Sequence, residues 1–261
     1  MFPYFEVFGW FNIYTFGLTL TLCFFIFMWM LKRLCHRFWI NNSFFFNRIL
    51  WYFLSIFLFS RIFYVIWNWD NFKFIQDPLE FFLMSDYNFS LMWAIFGYLL
   101  VLFVTIVMHW LRSWKYMDVS VLSFLFSSVF WYFWAFMWGQ VYWKETNFWI
   151  EVLYNSTIST VPYEVPVFPL AIIYSILFFI LFSALYMLAM FVTVRWIIWY
   201  FGLIIFSTIL LILENFSWKY DFFKQEIWIN LTQIWAIFLI WFCAFGLYRI
   251  YKTPVSSDIL S

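Results

Sequence analysis

Residues 49–67 read ILWYFLSIFLFSRIFYVIW. A run of this length and composition is close to the roughly 20 residues that cross a bilayer as a helix. Arg61 stands inside it, six residues before its end. A guanidinium in hydrocarbon costs about 2.5–3.5 kcal/mol on insertion scales. The run predicts a membrane helix, and the charge within it predicts a task.

The rest of the chain has the same character. Of its 261 residues, 67% are hydrophobic and 10% are charged. No soluble domain needs so much apolar surface. The net charge of +1 gives no footing for nucleic acid. Cys23, Cys35 and Cys243 form no C-x-x-C pair and lie in or beside apolar runs, so buried thiols are expected, with no metal or disulfide role. No cofactor is implied. His36 and His109 flank basic clusters and read as interfacial. With 42 Phe, 20 Trp and only 6 Gly, helix contacts are expected to use bulky rings rather than small residues.

Seven apolar spans are expected, at about 12–31, 49–67, 89–110, 119–138, 168–188, 196–213 and 227–248. They make residues 1–261 a single all-α polytopic membrane domain. The first span is not expected to be a cleaved signal peptide: Glu6 precedes it, and neither a basic leader nor a small-residue cleavage site is present. Alternate loops carry nine Lys and Arg: 32, 33, 37, 48, 112, 115, 195, 249 and 252. The opposite side carries four, Lys73, Lys144, Lys219 and Lys224, together with ten of the acidic residues. Basic loops stay inside, so the N-terminus is placed outside and the C-terminus inside. Residues 139–166 are polar enough to form a small outer head, and 68–88, broken at Pro78, suits a segment lying in the interface.

No soluble-enzyme motif is present: no G-x-S-x-G, P-loop, H-E-x-x-H or glycine fingerprint. The informative residues are polar ones at membrane depth. Arg61 lies about 9 Å from its helix end, near the level of outer-leaflet headgroups. It reads either as a clamp for phosphate oxygens or as a snorkelling side chain paired with a carboxylate. Glu214 ends the sixth span at a comparable depth and is its natural partner; the alternative is an ordinary interfacial Glu. Tyr132 and Gln140 close the fourth span, where an aromatic girdle is the simpler reading. Asp118 is expected to cap its own helix. Asn230 and Gln233 are placed to hydrogen-bond between helices.

The order of these residues resembles prolipoprotein diacylglyceryl transferase, a seven-span bacterial membrane enzyme family. GWFNIYTFGL (9–18) is similar to that family's G-P-x-x-x-x-W-Y-G-L opening, and Lys32-Arg33 follow the first span. SRIFYV (60–65) is similar to G-R-x-G-Y-V, and DPLEFF (77–82) to its D-P-L segment. Ser90, Asp118, Gly139, Pro169, Glu214, the Gln of NLTQIW and the terminal YRIYKTP fall at further motif positions. The resemblance covers nearly the whole chain through short matches in a common order. It implies diacylglyceryl transfer from phosphatidylglycerol to a lipobox cysteine on the outer face of the bacterial cytoplasmic membrane. An organellar inner membrane is the other location consistent with it. Phospholipid and the prolipoprotein signal peptide are the implied partners. Arg61, Tyr64, Glu214 and Gln140 would be the lipid-headgroup residues.

The departures fall on chemistry. The family's motif His falls at Met92, its arginines at Tyr132 and Leu210, its asparagine at Ala135 and its acidic residue after N-G at Gln140. Phe16 and Phe206 stand where the family has Tyr, and H-P-S-Q-L-Y-E survives as FPLAIIY. Thiol attack on a lipid carbon needs a proton acceptor and cationic stabilisation of the leaving phosphate, which Met, Ala and Leu do not supply. The expectation is a catalytically impaired or altered relative that binds phospholipid or lipoprotein precursor. The competing expectation is a non-catalytic structural subunit of a membrane complex.

Overall fold

The computed structural model describes residues 4–7, 11–67, 91–108, 114–138, 152, 166–191, 197–217 and 230–252. A short antiparallel hairpin comes first, β1 (Tyr4–Val7) with β2 (Phe11–Tyr14), with Tyr4 opposite Tyr14 and Glu6 opposite Asn12. Helices follow: α1 (Thr15–Arg37), the single turn α2 (Ser43–Phe46), α3 (Ile49–Trp67), α4 (Leu91–Met108) and α5 (Trp114–Trp138). Then come α6 (Leu170–Phe191), α7 (Ile197–Leu213), a 3-10 turn at Glu214–Phe216, and α8 (Leu231–Lys252).

Among the described residues the chain is therefore all-helical apart from that hairpin, which takes residues 12–14 that the composition assigned to the first span. Six of the eight strand residues are aromatic or β-branched, and such residues fit a pleated ribbon. Five helices among the described residues are long and apolar enough to cross a membrane: Gly17–Arg37, Lys115–Met137, Leu170–Phe191, Ile197–Phe216 and Thr232–Lys252. The described apolar stretches of α3 and α4, Ile49–Ile62 and Trp93–Met108, are shorter.

Helix α1 runs through the cluster Lys32–Arg37, beyond the expected end at 31. Leu34 and Cys35 stay buried, and cations in a last turn meet the negative end of the helix dipole. The end itself is a Schellman motif. Ile40 N–H donates to Cys35 O at 2.8 Å and Trp39 N–H to His36 O at 3.5 Å. Trp39 holds the left-handed position, φ 55°, the only such non-glycine residue among those described. An L side chain there costs about 1–2 kcal/mol.

Contacts gather the chain into two compact units. The first contains Cys23–Leu31 of α1 and everything from Trp114 onward. Within it α5 packs on α6 and α7, and α7 packs on α8. Ser127 donates to Cys23 O at 2.8 Å, Ser175 to Val129 O at 2.9 Å, and Trp29 meets Phe126. Gly202 lets α7 approach Val121 and Leu185. Val152, within the expected head segment, and Val167, just past its end, exchange two backbone bonds, at 3.0 and 3.1 Å.

The second unit contains residues 2–22 and 32–113. Its main contact joins α3 and α4. Gly97 sits against the Ser55 carbonyl, and the Ser55 hydroxyl donates to Gly97 O at 2.7 Å. Tyr52 packs on Tyr98 and Phe59 on Phe96. Ring pairs such as Tyr52–Tyr98 and Phe59–Phe96 are what the composition predicts.

Candidate functional site

Hydroxyls in apolar helices must find partners inside the protein. Most here bond back one turn: Thr21, Thr105, Ser120, Ser123, Ser128, Ser183 and Thr208 each donate to the carbonyl four residues earlier. These are local and ask nothing of function. The polar groups that remain define two places.

In the first unit the place is the end of α7. Glu214 opens the 3-10 turn and is buried. It accepts from the Tyr174 hydroxyl at 3.3 Å and from Asn230 Nδ2 at 3.2 Å. Both are longer than the roughly 2.5–2.9 Å of strong bonds to a charged group. Asn230 starts α8, its backbone N–H donating to Gln233 Oε1 at 2.9 Å, half of a capping box. Gln233 Nε2 reaches back to Asn215 Oδ1 at 2.9 Å and Leu211 O at 3.2 Å. The expected hydrogen bonding of Asn230 and Gln233 across helices is observed. Asn230 Oδ1 is buried without a partner. The cluster therefore has acceptors in excess and suits a ligand that brings hydroxyl or ammonium donors.

Beneath it the site turns apolar. Tyr132 stacks on Tyr174 with ring centroids 4.6 Å apart, and both meet Phe178. Phe178 stacks on Phe206 at 5.1 Å, and Phe206 meets Phe124. Ala135 and Leu210 are buried, each 1% exposed. Tyr132, Tyr174, Phe178, Phe206 and Phe124 thus form a continuous column of rings within the first unit. The cluster holds neither thiol nor imidazole, and no group of three His, Cys, Asp or Glu for a metal occurs among the described residues.

The second place is Arg61 on α3, 1% exposed and so buried rather than snorkelling into lipid. Val65 one turn on, and Ser60 beside it, are buried too. Along α4, Trp93 packs edge-on against Phe96, which meets Phe59. Tyr64 lies in α3 and Met92 in α4, but their side chains fall outside the described residues, as do Gln140, Gly139, Ser90 and the 77–82 segment.

Asp118 departs from expectation. Helix α5 begins at Trp114, so Asp118 lies inside it. Its carboxylate accepts instead from Trp199 N–H in the first turn of α7, at 2.8 Å. An anion there satisfies an orphan donor and complements the helix dipole. Sequence reading also passed over Tyr174 and Asn215. Asn215 adjoins Glu214, and two adjacent polar residues ending an apolar run were the available signal.

Helix composition and these buried polar groups define an all-α protein of the integral membrane class. The chain matches no protein-family model and no curated protein.

Proposed function

We propose that the chain is a seven-span relative of the prolipoprotein diacylglyceryl transferases that binds phospholipid headgroups and does not transfer diacylglycerol. One observation carries the binding half: Arg61, a buried guanidinium within an otherwise apolar helix. Its planar fork suits phosphate oxygens, and phosphatidylglycerol is the lipid that the sequence resemblance names. Tyr64 is a further headgroup contact in this reading. The Glu214 cluster of the first unit is a separate acceptor site, suited to hydroxyl donors.

The missing chemistry is supported by the ring column. Transfer to a thiol requires a base for the sulfhydryl proton and a cation at the departing phosphate. In this reading the family's motif His falls at Met92, its arginines at Tyr132 and Leu210 and its asparagine at Ala135; Tyr132, Ala135 and Leu210 are buried, and Tyr132 stacks on Tyr174. One lost donor of this kind costs about 10²–10³ in rate. The reading places the protein in a bacterial cytoplasmic membrane with its N-terminus outside and a lipoprotein signal peptide as a possible second ligand.

The test uses purified protein in phosphatidylglycerol bilayers with a lipobox peptide, followed by mass spectrometry. Retained lipid that is lost in Arg61→Ala, with no diacylglyceryl adduct, is expected. Adduct formation abolished by that substitution would overturn the inactive reading, and binding unchanged by it would remove the clamp. Cysteines introduced in 139–166 are expected to label from outside intact cells; labelling only after permeabilisation would reverse the orientation.

A second reading, a structural subunit of a membrane complex, has one observation in its favour. Only 11% of the apolar window of α8 is buried, against 44–50% for the other four long apolar helices. Its Trp241, Phe242 and Phe245 are exposed. Site-specific crosslinking from Trp241 to a protein rather than lipid would favour it.

A further inference from the structure

The cap of α1 carries a residue unsuited both to its backbone and to water. The left-handed position of a Schellman motif is usually Gly, sometimes Asn. Here it is Trp39, at φ 55°. Its side chain is 93% exposed, more than any other large apolar side chain described. Neither the helix cap nor the core of its unit calls for an indole there. Strain at a bulky exposed residue directs attention to what the residue meets outside the protein.

Its surroundings name the partner. Lys32, Arg33, His36 and Arg37 occupy the turns just before Trp39 and are exposed. The sequence contains no Asp or Glu between Glu6 and Asp70. The helix dipole accounts for some cations at this end, but not for an indole among them. Tryptophan settles at the headgroup level of bilayers, where one part of its ring is apolar and the other wet. Basic side chains near an anionic leaflet each add attraction.

We propose that Trp39, with Arg33 and Arg37, forms a docking surface for an anionic phospholipid leaflet, the indole entering the interface while the guanidinium groups meet phosphates. The Schellman cap turns the chain so that the ring projects away from its own helix. The strain is the cost of that projection. This surface is separate from Arg61 and stands whether or not Arg61 binds a headgroup.

The experiment compares the full chain with Trp39→Gly in three settings: neutral detergent micelles, phosphatidylcholine nanodiscs, and nanodiscs containing phosphatidylglycerol. Glycine relieves the left-handed strain, so in micelles the melting temperature is expected to rise by about 2–4 °C. In anionic nanodiscs that gain is expected to vanish or reverse, and native mass spectrometry is expected to find fewer retained anionic lipids. The double change Arg33→Gln, Arg37→Gln should bring the response in anionic nanodiscs close to that in phosphatidylcholine. Trp39→Asn, which also tolerates the left-handed region, guards against a defect peculiar to glycine. An equal gain in all three settings would overturn the proposal, since the indole would then do nothing at the membrane. A loss in micelles with both substitutions would overturn it too, by showing that Trp39 packs within the protein or against another chain.

Discussion

Gly97→Ala tests whether α3, the helix that carries Arg61, is held against α4 at backbone contact. A β-carbon at Gly97 would lie 2.7 Å from the Ser55 carbonyl oxygen and 3.0 Å from Phe59 Cβ. Neither neighbour is a flexible side-chain end. One is main chain and the other the root of a ring, so the helices themselves must part by several tenths of an ångström. Overpacking of this kind costs about 1–3 kcal/mol. Separation also weakens the 2.7 Å bond from Ser55 Oγ to Gly97 O, a class of bond worth about 0.6 kcal/mol on average in membranes. Alanine returns about 0.8–1.0 kcal/mol through helix propensity.

The net expectation is a loss of about 1–2 kcal/mol, or a fall in melting temperature of a few degrees. Gly246→Ala is the control. Its β-carbon meets only the ring end of Tyr200, a partly exposed side chain that can swing aside. Gly202→Ala falls between, meeting the tips of Val121 and Leu185 at 2.9 and 3.2 Å. Thermal unfolding in detergent, followed by circular dichroism, should order them Gly97, Gly202, Gly246 from most to least destabilised. A Gly97→Ala protein as stable as the parent would refute the close approach of α3 and α4.

Asp118→Ala should cost about 1 kcal/mol by uncapping α7, and Asp118→Asn much less, because an amide oxygen still accepts from Trp199 N–H; thermal melts compare the two, and equal losses would contradict the capping role. Gln233→Leu removes two hydrogen bonds that tie α8 to the end of α7 and one that caps α8 at Asn230 N–H, and should cost about 1–2 kcal/mol. Hydrogen exchange should then rise first at Asn230, whose N–H loses its acceptor, and unchanged protection there would refute the role of Gln233.

The helices were legible because apolar runs of bilayer length admit few other structures. Their ends were less so. Lys32–Arg37 reads as a loop signal but continues α1, since Leu34 and Cys35 keep a buried face beneath the charges. The hairpin was missed because Phe11, Ile13 and Tyr14 run on into the apolar stretch that follows. The Glu214 cluster was half visible: Glu214, Asn230 and Gln233 stand out in apolar surroundings, while Tyr174, forty residues away in sequence, looks like any other ring. Asp118 was read locally, and its bond to Trp199 spans 81 residues. No periodicity in either helix encodes that pairing; it exists only once α5 and α7 pack.

Arg61 poses the sharpest choice, and stability and binding can be made to answer it separately. A buried charge that serves the fold does so through a partner. Removing one member of such a pair strands the other and costs about 3–5 kcal/mol. A buried charge kept for a ligand contributes nothing comparable to folding, and an apolar residue of similar length is neutral or favourable in its place. Arg61→Met preserves length and fills the same buried volume without the guanidinium. If Arg61 clamps a headgroup, the variant should melt within a few degrees of the parent, or higher, while losing retained phospholipid in native mass spectra. Lipid titration should then raise the parent's melting temperature, as any ligand bound only by the folded state does, and leave the variant's unmoved. A variant that melts far lower with its lipid response intact would make Arg61 a member of a structural ion pair, and the headgroup site would have to be sought at Glu214, Tyr174 and Asn230 instead.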